Sequence, residues 1–572
     1  MRKQGTLIVQ SDFTVLLDGR QEHGELAAEQ LAVFAELVKR PGDMHTYRIT
    51  PLSVWNAAST GANGEQMIET LRQYGRYEVP AAVENEIREW AARYGKLRME
   101  QCEGRLLLTC DCAELLTKLA GKPSVSEGLL QRDSEHSWSV KGAHRGYVKQ
   151  ELLKCGYPVL DLAGYHTGES LAVALKSNTA DGVSFKARPY QERAVDLFYR
   201  EGSAHGGSGV LVLPCGAGKT IVGIAALAKL QCATLILTSS ATSVQQWKSE
   251  LLDKTTLDEE KIGVYAGASK VVRPVTIATY QMLTHRGSKQ AEFVHMGLFQ
   301  ERDWGLIIYD EVHLLPAPVF RMTAEIQATR RLGLTATLVR EDGRAEDVFS
   351  LIGPKRFELP WKALEAQGYL AEVSCTEIRI PLHERLAERY YGARIRDRHR
   401  IASENSLKLA ALQLLLERHA GHSIIIIGQY LSQLSIVAKR FGLPLLTGST
   451  RQEERERCFS AFRRGETKII VVSKIANFAI DLPDAAVAIQ LSGSYGSRQE
   501  EAQRIGRIVR PKRDGGQAWF YTIVTDHTVE TDYMVKRQLF MIEQGYRYQL
   551  ESWNEKRLSQ TGEEVSACLS VN

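Results

Sequence analysis

Cysteine is scarce in this chain, and so is any surplus of charge. Nine cysteines are spread over 572 residues, at positions 102, 110, 112, 155, 215, 232, 375, 458 and 568. No pair of Cys-x-x-Cys knuckles occurs among them, which excludes a zinc ribbon and a disulfide framework and points to a reducing compartment. The lone Cys110-x-Cys112 reads as strand core, alternation placing both thiols on one face. Lysine and arginine total 72 against 68 acids, a formal charge of +4. Bulk charge therefore neither requires nor excludes a polyanionic partner, and any basic site has to be local. No apolar run approaches a membrane span. Arg2 and Lys3 are followed only by Leu7-Ile8-Val9, too short for the apolar core of a signal peptide, so a cytoplasmic location is expected. Internal repeats and low-complexity tracts are absent as well.

What remains is an ordinary soluble composition, 44% hydrophobic and 24% charged. Each domain can bury a core, and the disordered, collagen-like and coiled-coil classes are excluded. At about 150 residues per domain the length suggests three or four domains. From about residue 205, strand-like apolar runs alternate with helical patterns, as in parallel-sheet βα proteins. One such stretch runs from Val210-Leu211-Val212 to Leu332-Gly333-Leu334, the other from Ile424-Ile425-Ile426-Ile427 to Trp519-Phe520-Tyr521. The beginning differs. Thr50-Pro51 opens a helix ending near Gly61, a second covers Glu65–Tyr74, and a third runs from Pro80 to before Gly95. Leu97–Glu100 and Arg105–Thr109 then flank Glu103-Gly104, a hairpin signal. Three helices and a hairpin make a winged-helix arrangement, which serves DNA binding or purely structural contact.

The sharpest local signal is Pro214-Cys215-Gly216-Ala217-Gly218-Lys219-Thr220, after a buried strand and before an apolar helix, Ile221–Leu230. Phosphate binding needs these parts: glycines that let amides converge on the phosphates, a lysine for charge, and a hydroxyl for Mg²⁺. Leu213 stands where the strict pattern has its first glycine. Downstream, Leu306-Ile307-Ile308-Tyr309-Asp310-Glu311-Val312-His313 ends a buried strand with two acids. In such a sheet Asp310 can position Mg²⁺ and Glu311 can polarise the attacking water. His313 is either part of this chemistry or a packed polar side chain. Further on, a capping box at Ser497 and Glu500 starts a helix that stacks Gln503, Arg507 and Arg510 on one face. Arginines so aligned can reach a γ-phosphate from a second domain; a solvated face is the plainer reading. The run Arg389–Arg400, RYYGARIRDRHR, offers Arg389, Arg394, Arg396 and Arg398 with two tyrosines for phosphate contact and base stacking, or else a solvated linker.

Together these motifs resemble the XPB family of superfamily 2 DNA helicases. The resemblance spans roughly residues 185–548: Arg188-Pro189-Tyr190-Gln191, the loop to Thr220, the Asp310–His313 box, and Leu334-Thr335-Ala336-Thr337. Arg340-Glu341-Asp342, Gly353-Pro354-Lys355, Asp481-Leu482-Pro483 and the Gln503–Arg510 helix come next in order. Arg48-Ile49-Thr50-Pro51-Leu52 with Trp55 looks like the N-terminal domain of bacterial members. Ile475-Ala476-Asn477-Phe478 departs from the Gly-Asp that the family often carries before Asp-Leu-Pro, and the inserted thumb is short.

The resemblance implies an α/β fold of two RecA-like parallel-sheet domains in tandem, preceded by a winged-helix-like α+β region. The expected division is 1–125 winged-helix-like, 126–184 a second, damage-recognition-like region, and 185–372 the first RecA-like domain. Residues 373–405 would be a linker with a basic thumb, 406–548 the second RecA-like domain, and 549–572 a tail. An ATP- and Mg²⁺-dependent DNA helicase of 3′-to-5′ polarity, acting in DNA repair, is implied. Arg188, Gln191, Gly216, Ala217, Gly218, Lys219, Thr220 and Asp481 would bind ATP, with Gln191 reading adenine. Thr335, Thr337 and Gln503 would couple hydrolysis to movement, and Arg340, Glu341 and Asp342 would separate strands. DNA is the expected partner, single-stranded, duplex or forked. Two alternatives are a translocase that pumps duplex without opening it, and a scaffold that recruits a repair nuclease through residues 1–180.

Overall fold

The structure, a computed structural model, describes residues 5–39, 43–214, 216–286, 293–327, 329–336, 345–359, 361–369, 372–473, 485–493, 517–532, 534 and 548–559. The chain divides into two compact units. Met1–Val38, Asp43–Pro214 and Gly218–Leu359 form the first; Pro360–Asn572 with the short pieces Lys39–Gly42 and Cys215–Ala217 form the second.

The first unit opens with a four-stranded sheet ordered Leu7–Val9, Thr14–Asp18, Met44–Arg48, Glu36–Lys39. Its strands are short, and no periodicity reading anticipated them. The three expected helices come after it. Pro51–Ser59 starts in a capping box: Thr50 Oγ1 accepts from the Ser53 amide at 3.1 Å, and Ser53 Oγ accepts from the Thr50 amide at 2.9 Å. Asn63 and Gln66 do the same for Gly64–Tyr74, and Ala81–Arg93 starts after Pro80. The hairpin is present too, Leu97–Cys102 pairing antiparallel with Arg105–Cys110. Its turn residues Glu103 (φ 50°) and Gly104 (φ 77°) are both left-handed, as a tight hairpin turn requires.

The company the hairpin keeps is not that of a winged helix. It lies inside a five-stranded sheet ordered Leu129–Ser134, Ser137–Val140, Arg105–Cys110, Leu97–Cys102, Val159–Asp161. That sheet crosses the division expected between residues 125 and 126, because periodicity marks a strand without naming its neighbours. The Cys-x-Cys reading also changes: Cys110 is buried, whereas Cys112 lies beyond the strand and is exposed. All seven cysteines among the described residues are free.

A buried ionic cluster ties this sheet to Gln327, just ahead of the strand Arg330–Thr335. Arg145 donates to Asp161 at 2.7 Å, and Lys149 donates to both Asp161 and Gln327 at 2.9 Å. Residues 162–188 then form an irregular strap: the Ala233 amide donates to the Glu169 carbonyl at 2.7 Å, and the Lys176 amide to the Lys254 carbonyl at 2.9 Å.

The strap leads into an eight-stranded sheet ordered Ser269–Lys270, Ile262–Ala266, Val275–Thr279, Thr234–Thr238, Leu306–Asp310, Arg330–Thr335, Ser208–Val212, Lys355–Glu358. Seven of these strands are parallel, and Ser269–Lys270 alone runs antiparallel to its neighbour. Ser208–Val212, Thr234–Thr238 and Val275–Thr279 are buried throughout, which is why they read as unbroken apolar runs.

The second unit holds a seven-stranded sheet ordered Leu445–Leu446, Ile469–Ser473, Ile424–Gly428, Val487–Gln490, Ala518–Thr525, Val373–Ile380, Tyr548–Ser552. Two expectations are corrected here. Val373–Ile380 is not linker but an interior strand, paired in parallel with Ala518–Thr525 and with Tyr548–Ser552. Tyr548–Ser552 is accordingly sheet rather than tail. The charges of Val373–Ile380 hid it: Glu377 is wholly buried, accepting from Arg379 Nε at 2.6 Å. The basic run forms two helices, Glu384–Gly392 and Ile395–Ser403, before the long helix Leu407–Arg418.

Candidate active site

Sheet order alone brings the acidic and phosphate-binding motifs together. The strand before the phosphate loop, Ser208–Val212, and the strand ending in Asp310 flank a common neighbour, Arg330–Thr335. Val212 stands opposite Thr335, and Asp310 opposite Leu334. All three carboxyl ends therefore meet at one sheet edge, where ligands bind in open α/β sheets.

Leu213 explains its own departure from the glycine pattern. It extends the strand, its amide donating to the Thr335 carbonyl at 2.9 Å and its side chain fully buried. The turn comes afterwards, with Gly216 at φ 84° and Gly218 at φ 78°. Gly218 precedes the helix Lys219–Leu230 and supplies no side-chain cap. The helix dipole at this end favours negative charge. Gln191 lies over this turn: a Cβ on Gly218 would stand 2.5 Å from its Nε2. Its Oε1 accepts from the Arg188 amide at 2.9 Å, closing the start of the helix Pro189–Tyr199.

Lys219 Nζ meets Glu311 Oε1 at 2.9 Å, both largely buried. Burial pushes the Glu311 carboxyl up, but Lys219 and then His313 outweigh it and hold the group below its ordinary value. Asp310 goes the other way: burial, then the Glu311 charge, raise it. Their surroundings thus shift these two adjacent acids in opposite directions. Glu311 sits at φ 52°, a left-handed conformation that costs a non-glycine residue energy.

His313 is packed and also stands beside the acids, its Nδ1 3.4 Å from Glu311 Oε2. Its Nδ1 lies 2.8 Å from Thr335 Oγ1, with both residues buried. Two contacts escaped sequence reasoning. Trp247 Nε1 donates to Asp310 Oδ2 at 2.9 Å, and the Tyr280 hydroxyl donates to the Asp310 carbonyl at 2.9 Å. Both aromatics are almost wholly buried.

In the basic run the four arginines part company. Arg389, Arg394 and Arg396 are exposed. Arg398 instead donates to the carbonyls of Ala393 (3.2 Å) and Tyr391 (3.1 Å), stapling the two helices. Tyr391 is 63% exposed, while Tyr390 is buried and its hydroxyl accepts from the Val529 amide. Thr337, Arg340, Glu341, Asp342, Asp481, Gln503, Arg507 and Arg510 lie outside the described residues, as do Ile475-Ala476-Asn477-Phe478. Among the described residues no group of three or more histidine, cysteine or carboxylate side chains could hold a metal, and no helix is long and apolar enough to cross a membrane.

A parallel sheet carrying a phosphate loop, an Asp-Glu box and the Thr335 strand end at one edge is the ATP-hydrolysing core of a superfamily 2 helicase. Comparisons with known proteins agree in detail. Residues 184–340 match the family model described as type III restriction enzyme, res subunit, and residues 364–566 match that of the ERCC3/RAD25/XPB C-terminal helicase. Residues 7–134 match a helicase conserved C-terminal domain, although they stand at the start of this chain. The protein named DNA 3'-5' helicase XPB in Kineococcus radiotolerans is 50% identical over 550 residues, 96% of each chain. Its namesake in Mycobacterium tuberculosis is 50% identical over 546 residues, 95% of this chain and 97% of that one. The Saccharomyces cerevisiae general transcription and DNA repair factor IIH helicase/translocase subunit XPB/SSL2 is 32% identical over 94% of this chain and 71% of its own length. The chain belongs to the XPB family of ATP-dependent DNA helicases.

Proposed function

We propose that the chain uses ATP hydrolysis to move along and open DNA in the 3′-to-5′ direction, in the cytoplasm and in the service of DNA repair. One observation carries the enzymatic part: the Lys219–Glu311 pair at 2.9 Å, on the sheet edge shared with Asp310 and Thr335. The amides of Gly216, Ala217 and Gly218 and the Lys219 ammonium take the β and γ phosphates. Arg188 and Gln191 face the base, and Asp481 joins the nucleotide site. When ATP enters, its γ-phosphate competes for Lys219 and frees Glu311 to accept a proton from the attacking water.

A magnesium ion fits the donor set. Thr220 offers a hydroxyl in the first helical turn, and Asp310 offers a carboxylate whose Oδ2 is already occupied by Trp247. Hard oxygen donors, few in number and beside phosphates, are what this ion takes. When bound there it would offset charge on the phosphate oxygens.

In this reading Arg507 and Arg510 reach the γ-phosphate from the second α/β unit, so that hydrolysis depends on closure. Thr335, Thr337 and Gln503 relay nucleotide state to the DNA track, and Arg340, Glu341 and Asp342 part the strands. Arg389, Arg394 and Arg396 contact phosphates, with Tyr391 as the stacking surface. An intact ATP site argues against a bare scaffold for a repair nuclease. The test is ATP turnover with no DNA and with single-stranded, duplex and forked DNA, beside displacement of a labelled strand. Stimulation with displacement from a 3′ tail is expected. Stimulation without displacement would leave a duplex translocase, and none at all would overturn the reading.

A further inference from the structure

Trp247 stands on the helix Ala241–Lys254, 63 residues before Asp310, and only 1% of it is exposed. We infer that it is a positioning residue of the ATP site: its indole N–H holds Asp310 in the one orientation that presents the remaining carboxylate oxygen to nucleotide-bound magnesium. This rests on the assignment of Asp310 to that ion.

The geometry supports it in three ways. The indole N–H to Oδ2 distance of 2.9 Å is a charge-assisted hydrogen bond in a buried place, where loss of the donor is felt most. The indole gives the Asp310 carboxylate a directional side-chain bond, beside the Glu311 amide and the charge of Lys219, whose ion pair is made with Glu311. The Asp310 carbonyl is separately held by Tyr280, so main chain and side chain are fixed from different elements.

The ring itself has been given room. A Cβ on Gly223 would lie 2.5 Å from Trp247 Cη2 and 3.2 Å from its Cζ3. Gly223 falls inside the helix Lys219–Leu230, where glycine is otherwise unfavourable. The indole therefore packs on the helix that carries Lys219 and Thr220 while bonding the strand end that carries Asp310. One side chain sets the spacing between the two halves of the proposed metal site. Phenylalanine would fill much of the same space and bring no donor.

The test uses the full chain and a non-hydrolysable ATP analogue, its affinity measured with and without Mg²⁺. Trp247→Phe should bind the analogue as wild type does without Mg²⁺, and should lose about tenfold of the gain that Mg²⁺ confers, the size expected for one charge-assisted bond. An unchanged Mg²⁺ gain overturns the inference. So does an equal loss with and without Mg²⁺, which would make Trp247 merely structural. Asp310→Ala is the control: if it keeps the full Mg²⁺ gain, the metal assignment itself fails. Should Trp247→Phe not fold, ¹⁵N-tryptophan spectra of the unsubstituted chain decide. The indole resonance displaced by Asp310→Asn must respond to analogue with Mg²⁺ and not to analogue alone; no such response overturns the inference.

Discussion

His313 Nδ1 and Thr335 Oγ1 share a hydrogen bond of 2.8 Å that joins the acid box to the end of the neighbouring strand. The next residues along that strand lead toward Thr337 and Arg340-Glu341-Asp342. His313 Nδ1 also lies 3.4 Å from Glu311 Oε2, so one side chain links Glu311 to Thr335.

Thr335→Val keeps the shape and removes the hydroxyl. Basal ATP turnover should fall little, while stimulation by DNA should drop several-fold. Combined with His313→Ala, the losses should be non-additive by about 1 kcal/mol, the size of one hydrogen-bonded coupling. Strict additivity in the double-mutant cycle would show that the two act separately.

Lys219→Ala should leave a folded chain with turnover reduced by about a hundredfold or more, since charge developing on the transferred phosphate loses its counter-ion. Its melting temperature should also decrease modestly, because Glu311 then stays buried without its cation. Turnover near wild type would remove Lys219 from the site.

Glu311→Gln should bind ATP at least as well as wild type, with single-turnover hydrolysis slowed by roughly a hundredfold or more, an amide being unable to take the proton. Collapse of affinity with a preserved chemical step would exchange the roles of Asp310 and Glu311.

Substituting Arg389, Arg394 and Arg396 together by alanine should weaken DNA binding and lower the slope of log K against log salt by about two to three units. Arg398→Ala should behave otherwise, lowering the melting temperature because two helix-end carbonyls lose their donor. If Arg398 alone controls the salt slope, the division of labour is reversed.

Asp161 makes a pH prediction. Burial pushes its carboxyl up, but Lys149 and then Arg145 more than compensate, so the folded-state value lies below the unfolded one. Its contribution to stability is therefore complete above about pH 4 and is lost as pH falls through the folded-state value. Asp161→Asn should destabilise by about 3–5 kcal/mol at neutral pH, since Arg145 and Lys149 keep buried charges with no anion. Denaturant melts carried from about pH 7 down to about pH 1 should show wild type approaching the variant at the acid end.

Much of this was legible without coordinates because it is local. The capping box at Thr50 and Ser53, the glycine-lysine turn before an apolar helix, and the acids at the end of Leu306–Asp310 each depend on neighbours a few residues away. Apolar runs such as Ser208–Val212 announced strands buried on both faces. Chain pattern therefore determined the parallel-sheet α/β class and marked the glycine-lysine loop and the acids that the sheet brings to one edge. Tertiary structure decided what depends on distant partners. Val373–Ile380 carries charges that only Arg379 and the sheet around Glu377 make tolerable inside a core. Cys112, two residues past the end of its strand, lost the core face that Cys110 kept. Arg398 became a staple while Arg394 stayed in solvent, although both belong to one basic run. Trp247 and Asp310 meet across 63 residues because the register of parallel strands and the absence of a side chain at Gly223 bring them within 2.9 Å. Which strand lies beside which, and which polar group finds its partner, is set by packing of the whole sheet, and no short window of sequence contains that information.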